Sequence, residues 1–132
     1  MYKSLKIASV PSNLRLIENL IDEISYQNGF ESDFYGKILV ACVEAVNNGI
    51  VHGNKMNPEK FVYVEVSTDN KTFKIEVEDE GEGFDFENLP DPTSPENIEN
   101  IHGRGVFLMG HLSDEIDFNN KGKRVEMTFN IG

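Results

Sequence analysis

Three polar side chains that could do chemistry follow one another at helical spacing. Glu44, Asn48 and His52 are each separated by four residues, so a helix would place them on one side. A carboxylate can act as a general base, and an amide oxygen suits a hard cation such as Mg²⁺. A line of this kind is also typical of a solvated helix face. Val40 and Val51 flank it, however, which favours a face that something other than the core covers.

A fourth candidate, Asp79, ends a predicted strand. Phe73, Ile75 and Val77 alternate with charged residues, and Asp79 continues their phase, so its carboxylate is expected to point to the buried side. A buried carboxylate needs hydrogen-bond donors. No basic residue is close in sequence, which leaves two candidate donors: an N–H group of a ligand, or the backbone of the carboxylate's own turn.

Two glycine pairs add a possible phosphate site. Gly81 and Gly83 follow Asp79, and Gly103 and Gly105 open a predicted helix. Glycines let a ligand approach the backbone, and a helix N-terminus favours phosphate. Turns use glycine routinely, so neither pair is specific alone. The first pair lacks the ligand spacing of an EF-hand, and the chain has no Walker motif.

Taken in order, these motifs resemble the three nucleotide-binding boxes of the GHKL (Bergerat-fold) ATPase superfamily. The boxes correspond to Glu44–Asn48, Asp79–Gly83 and Gly103–Gly105. Within the superfamily the chain is most similar to the bacterial anti-sigma-factor serine/threonine protein kinases, whose helix reads EAVxNxxxHG and whose turn reads DEGxGFD. The likeness extends from about residue 10 to the end of the chain.

The resemblance implies a role for each candidate. Glu44 would be the catalytic base, Asn48 would bind both Mg²⁺ and ATP, and Asp79 would accept a hydrogen bond from the adenine amine. His52 is either a nucleotide-binding residue or a structural one. The other implied ATP-binding positions are Gly81, Gly83, Phe84, His102, Gly103, Arg104, Gly105 and Val106. Residues 84–102 would form a lid over the nucleotide. Arg104 and the stretch before Gly103 depart from the family pattern, which leaves the lid contacts open.

Periodicity predicts the elements that position these residues. Helix caps are expected at Ser12 and Ser32. The predicted elements are a strand Leu5–Val10, a first helix, a central helix Asp33–His52, a hairpin Phe61–Ser67 and Thr72–Asp79, a short helix Val106–Leu112 and a closing hairpin Glu115–Phe118 and Arg124–Ile131. This order predicts a single α+β domain over residues 1–132. It would be a two-layer α/β sandwich whose mainly antiparallel mixed sheet is covered on one face by helices.

Composition excludes several classes of partner. Twelve basic and twenty-three acidic residues give a net charge of -11, which disfavours direct nucleic-acid binding and anionic membranes. The apolar stripe predicted for the central helix consists of Tyr35, Leu39, Cys42, Val46 and Ile50. The single cysteine, Cys42, falls on this stripe and is compatible with a reducing compartment. We expect no signal peptide and no membrane span, and therefore a cytoplasmic location.

The resemblance implies an anti-sigma factor with serine/threonine kinase activity. Such a protein binds Mg-ATP, phosphorylates a STAS-type anti-sigma-factor antagonist and sequesters a sigma factor. Three alternatives stay open: a catalytically silent, nucleotide-dependent protein-binding module, a stand-alone ATPase, and a histidine-kinase catalytic domain, for whose phosphoacceptor helix the chain has no room. A homodimer, formed through the first helix or the N-terminal strand, is compatible with the resemblance.

Overall fold

The computed structural model describes residues 1–83 and 108–131. Two helices precede most of the sheet, and residues 108–112 form a further short helix. The elements are β1 (Tyr2–Ala8), α1 (Leu14–Asn28), α2 (Ser32–Asn47), β2 (Phe61–Thr68), β3 (Thr72–Glu78), β4 (Glu115–Asn119) and β5 (Arg124–Asn130). The predicted order of strands and helices is confirmed.

The five strands form one open sheet in the order β1-β2-β3-β5-β4, and all four pairings are antiparallel. In the register, Val64 lies opposite Val77, which in turn lies opposite Val125. Along β2 every second side chain is buried, as expected where valines alternate with polar residues on a half-buried strand. The α+β sandwich predicted from the sequence is confirmed.

The helices cover one face of the sheet, here called the inner face. Residues spaced by three and four form the buried side of each helix, namely Ile17, Leu20, Ile21 and Ile24 of α1 and Ile38, Ala41, Cys42, Ala45 and Val46 of α2. Two members of the stripe predicted for the central helix, Tyr35 and Leu39, are only half-buried at its margin. Burial also raises the pKa of the Cys42 thiol, so this cysteine behaves as an apolar side chain.

The central helix changes its hydrogen-bond pattern at Asn48. The Asn48 N–H still donates to the carbonyls of Glu44 and Ala45, but residues Asn48–Gly53 form a π-helical turn, in which the Asn54 N–H reaches the Gly49 carbonyl at 2.8 Å. The prediction of one regular helix to His52 is therefore wrong in its last turn. There the Asn54 N–H bonds the carbonyl five residues back instead of four, at a glycine that lies so close to β2 that a Cβ atom would be 3.0 Å from the Val62 side chain. Single π turns of this kind often mark functional sites.

Three predicted element starts are also wrong. Strand β1 begins earlier, at Tyr2, and ends at Ala8; the next residue, Ser9, bonds the Lys60 carbonyl through both its N–H and its hydroxyl. Ser12 does not cap α1: it lies in a 3₁₀ turn, and Asn13 precedes the helix. Ser32 is the first residue inside α2 and does not cap it.

The hairpin turns follow the sequence closely. Asp69 accepts hydrogen bonds from the N–H groups of Lys71 and Thr72, which closes the turn between β2 and β3. Between β4 and β5, Asn120, Lys121 and Gly122 all have positive φ. Asn and Gly tolerate this backbone region best, and two of the three residues are of those types.

By length and composition alone, one helical run is apolar enough to cross a membrane. It comprises the 22 residues Ser32–Gly53, within which an 18-residue window has a mean hydropathy of 1.2, so the expectation that no segment meets this criterion was too strict. The core helix of a globular domain passes the same test. Ile38, Cys42 and Val46 of this run are completely buried against the sheet and α1.

Candidate functional site

A cleft of about 440 Å³ lies where the end of the central helix meets the ends of β3 and β5. Its polar lining comes from Asn48, His52, Asp79 and Lys123. The apolar lining consists of Ala45, Val77, Met109, Phe118 and Val125. This mixture, an apolar wall with a few polar groups, is typical of small-molecule sites.

Asp79 lies in this cleft, on the inner side of the sheet, as its phase predicted. Its N–H donates to the Lys123 carbonyl at 3.1 Å, and its Oδ1 accepts from the Gly81 N–H at 2.8 Å. The backbone of its own turn is thus one of its donors, which was one of the two alternatives. Among the described residues no donor bonds the second oxygen, Oδ2, so this acceptor is available to a ligand.

The charge state of Asp79 reflects its surroundings. Burial raises the pKa of the carboxyl above its ordinary value, while the Gly81 N–H and the charge of Lys123 oppose the rise. A cationic or N–H donor on a bound molecule would stabilise the ionised form in the same way as these two groups.

Asn48 also faces the cleft, from the first position of the π-helical turn. In the part of the chain that the structure describes, its Nδ2 is the one buried side-chain nitrogen or oxygen without a hydrogen-bond partner. Buried amides are normally paired, and a half-turn of the side chain presents the oxygen in place of the nitrogen. The site therefore fits a ligand at Asn48, and an amide oxygen is a suitable ligand for Mg²⁺.

Glu44 and His52 occupy different places relative to the cleft. His52 lines it from the π-helical turn. Glu44 lies one regular helical turn before Asn48, because the Asn48 N–H still bonds the Glu44 carbonyl. It is half-buried, but it is not part of the cleft lining.

The glycines after Asp79 are required by the protein's own backbone. A Cβ atom on Gly81 would lie 2.1 Å from the Gly53 carbonyl oxygen, and one on Gly53 would lie 2.3 Å from Cγ of Asp79. Gly83 has φ +84, and its Cβ would lie 1.9 Å from the Lys121 carbonyl oxygen. The family resemblance implies that Gly81 and Gly83 contact the nucleotide. The structure gives them a role in packing the turn against the π-helical turn and the β4-β5 hairpin.

Six of the eleven implied nucleotide-binding positions fall in the part of the chain that the structure does not describe. Phe84, His102, Gly103, Arg104, Gly105 and Val106 lie outside the described residues, as do all the residues 84–102 of the predicted lid.

Sequence reasoning missed Asn54, which is 1% exposed. Its Nδ2 donates to the Ser9 hydroxyl at 2.8 Å and to the Phe61 carbonyl at 3.0 Å, and its Oδ1 accepts from the Glu80 N–H at 2.8 Å. One amide thus joins the end of β1, the start of β2 and the turn that carries Asp79. No periodic signal marks such a residue, because its partners are distant in sequence.

Lys123 was missed for another reason. It is far from Asp79 in sequence, and only the strand pairing brings the two together. The sequence does carry one indication of its position. Val125, Met127 and Phe129 alternate inward along β5, and Lys123 lies two residues before Val125, in step with that alternation.

Comparison with known proteins gives the family. Residues 7–129 match the family model described as the histidine kinase-like ATPase domain. The chain is 25% identical to the serine-protein kinase RsbW of Oceanobacillus iheyensis over 126 residues, which covers 91% of this chain and 80% of the relative. It is 25% identical to RsbW of Bacillus subtilis over 134 residues, covering 96% of this chain and 84% of the relative.

A second kind of relative matches over a shorter stretch. The anti-sigma F factor of Bacillus cytotoxicus is 36% identical over 85 residues, which is 61% of this chain and 57% of that protein. The family resemblance inferred from the three motifs is confirmed. Since the family match begins in β1, ends in β5 and contains the whole cleft, the chain belongs to the histidine kinase-like ATPase domain family.

Proposed function

We propose that this protein is an ATP-dependent serine/threonine kinase that acts on a STAS-type anti-sigma-factor antagonist and also sequesters a sigma factor. The family match supports ATP binding. The names of the relatives, serine-protein kinase and anti-sigma factor, support the kinase activity and the sigma-factor partner. The location proposed for this activity is the cytoplasm, where sigma factors act.

One observation carries the nucleotide assignment: Asp79 presents, on the inner wall of an otherwise largely apolar cleft, a carboxylate oxygen that no donor within residues 1–83 and 108–131 bonds. The flat, apolar faces of adenine suit side chains such as Val77 and Met109. The exocyclic amine of adenine supplies an N–H donor for Oδ2 of Asp79, which no described residue bonds. Oδ1 is already held by Gly81, so the carboxylate is oriented before the base arrives.

The phosphates of ATP extend from this base site toward Asn48. The Asn48 amide would hold Mg²⁺ through its oxygen, and bound Mg²⁺ supplies charge neutralisation at the phosphate oxygens. Asn48 itself is positioned by the change from α to π geometry, which begins at this residue.

Glu44 acts as the general base. The serine or threonine hydroxyl of the antagonist forms the new O–P bond, its proton passes to the Glu44 carboxylate, and the bond between the γ-phosphorus and the bridging oxygen breaks to leave ADP. Glu44 lies one turn from Asn48 and outside the cleft lining. That position suits a group that meets the hydroxyl of a docked protein and not the nucleotide.

The position of Glu44 also favours a second candidate, a nucleotide-dependent binding module that holds its partner without phosphoryl transfer. The two are separated by incubating the protein with γ-labelled ATP, Mg²⁺ and a STAS-domain antagonist. The kinase labels serine or threonine of the antagonist. Binding of ATP and of the sigma factor without labelling would support the module.

A conservative substitution tests whether Glu44 is the general base. Glu44→Gln keeps the size of the side chain but removes the base, so transfer is expected to slow by about 10²–10⁴-fold. Affinity for Mg-ATP is expected to change by less than about 1 kcal/mol, because the carboxylate acts on the attacking hydroxyl alone. Glu18→Gln, on the exposed side of α1, is the matched control and keeps the native rate. Native transfer by Glu44→Gln would remove Glu44 from the mechanism.

A further inference from the structure

Lys123 and Asp79 are direct neighbours across two strands. The last pair in the β3-β5 register is Glu78 with Arg124. The Asp79 N–H bonds the Lys123 carbonyl at 3.1 Å, which extends the same ladder by one pair. Side chains opposite each other in an antiparallel ladder have Cβ atoms about 4.5–5.5 Å apart.

Both residues face the cleft on the inner side of the sheet. The preceding inward pair in the register is Val77 with Val125, both of which are buried, and alternation places Asp79 on that same side. Lys123 precedes β5 and its backbone is in the αR region (φ -73, ψ -23), but its charge acts on the Asp79 carboxylate. Arg124, one position later, lies on the opposite face, where it pairs with Glu76.

The two charges do not neutralise each other by direct contact. The ion pairs within 4.0 Å among residues 1–83 and 108–131 involve Lys3, Lys74 and Arg124 as cations, and Lys123 is in none of them. The Asp79 carboxylate accepts instead from the Gly81 N–H. The wall of the cleft therefore presents an acceptor and a cationic donor side by side, each with bonding capacity left for a ligand.

We propose that Lys123 is a base-recognition residue, which donates a hydrogen bond from Nζ to N1 of adenine while Asp79 accepts from the N6 amine. This rests on the proposed ATP site. The edge of adenine carries a donor, the N6 amine, next to an acceptor, N1, which matches the order acceptor–donor on the protein. Guanine carries the reverse order, O6 and then N1–H, so the carboxylate would meet an acceptor and the ammonium a donor.

A simpler role for Lys123 is to stabilise the charge of Asp79 through space. Lys60 also acts on Asp79 in this way, but it does not line the cleft. Lys60→Met is therefore a matched control, because it changes the field at the carboxylate and leaves the proposed donor in place.

The experiment is calorimetric titration of native protein, Lys123→Met and Lys60→Met with Mg-ATP and with the analogue in which a C–H group replaces N1. Native protein and Lys60→Met are expected to bind ATP roughly 10- to 100-fold more tightly than the analogue, the scale of a hydrogen bond to a charged group. Lys123→Met is expected to bind the two nucleotides equally. Lys123→Gln, which keeps a donor without the charge, is expected to retain part of the preference for ATP.

Three results would overturn the proposal. They are native protein that binds ATP and the analogue equally, Lys123→Met that retains the native preference, and glutamine and methionine variants that lose it to the same extent. If native protein bound neither nucleotide, the ATP site itself would be wrong, which is a failure distinct from these three. Urea unfolding of each variant checks that the fold is retained.

Discussion

Gly81→Ala gives the sharpest test of how the candidate site is built. The added Cβ would lie 2.1 Å from the Gly53 carbonyl oxygen, 2.6 Å from its carbon and 2.9 Å from Gly53 Cα. All three are backbone atoms, so no side-chain rotation relieves the clash. Ordinary contact begins at 3.4 Å, and the turn after β3 must therefore move away from the π-helical turn by about 1.3 Å.

The energetic cost follows from what this movement disrupts. Overpacking costs about 1–3 kcal/mol, and a weakened hydrogen bond about 0.5–1.5 kcal/mol. The bonds at risk are those from Gly81 N–H to Asp79 and from Glu80 N–H to Asn54, each 2.8 Å long. We expect the free energy of unfolding to fall by about 2–4 kcal/mol, out of a total on the order of 5–15 kcal/mol. Because Asp79 moves with the turn, ATP affinity is expected to fall by about 10- to 100-fold.

Urea denaturation and calorimetric titration with Mg-ATP measure the two effects. Gly36→Ala is the control: Gly36 lies within α2 and its Cβ would meet nothing within 4 Å. That substitution is expected to stabilise the protein by about 0.5–1 kcal/mol and to leave ATP binding unchanged. Native stability and native affinity in Gly81→Ala would refute the proposed backbone contact between the two turns.

Three further substitutions test other parts of the site. Asn54→Ala leaves buried backbone groups unpaired and should lower the free energy of unfolding in urea by about 2 kcal/mol or more. The control is Asn57→Ala, which removes only an exposed hydrogen bond to the Glu59 N–H and should be tolerated; equal effects of the two substitutions would contradict the buried network. Asn48→Ala should weaken the Mg²⁺ dependence of ATP binding, and an unchanged Mg²⁺ titration would exclude Asn48 as a ligand. Burial raises the pKa of the Asp79 carboxyl in the folded protein above its ordinary 3.8. Ionisation of this group therefore lowers the free energy of unfolding as the pH rises from 3.8 through the folded-state pKa. Asp79→Asn should therefore add about 0.5–2 kcal/mol of stability at neutral pH and less below pH 3.8; a constant gain across a pH series of urea curves would contradict this sign.

The parts of the fold that the sequence predicts are those set by periodicity. Valines alternating with polar residues in β2, and the spacing of Ile17, Ile21 and Ile24 in α1, identify the strand, the helix and their buried sides. The inward position of Asp79 follows from the same rule, because a strand alternates to its last residue. These features depend on neighbours in the chain alone.

The parts that the sequence does not predict depend on contacts between distant residues. The π-helical turn arises where Gly49 packs on Val62, and nothing local marks the change of helix type. Ser12 and Ser32 are residue types that commonly cap helices, yet Asn13 precedes α1 and Glu31 precedes α2. For the same reason the cross-strand position of Lys123 becomes visible only once β3 and β5 are paired.

The central claim, that Asp79 reads adenine in the cleft, is tested most directly by parallel calorimetric titrations of the native protein with Mg-ATP and Mg-GTP. The account predicts that ATP binds at least about 10-fold more tightly than GTP, and that Asp79→Asn loses roughly 1.5–3 kcal/mol of ATP binding free energy. Superimposable curves for the two nucleotides, or native ATP affinity in Asp79→Asn, would contradict it.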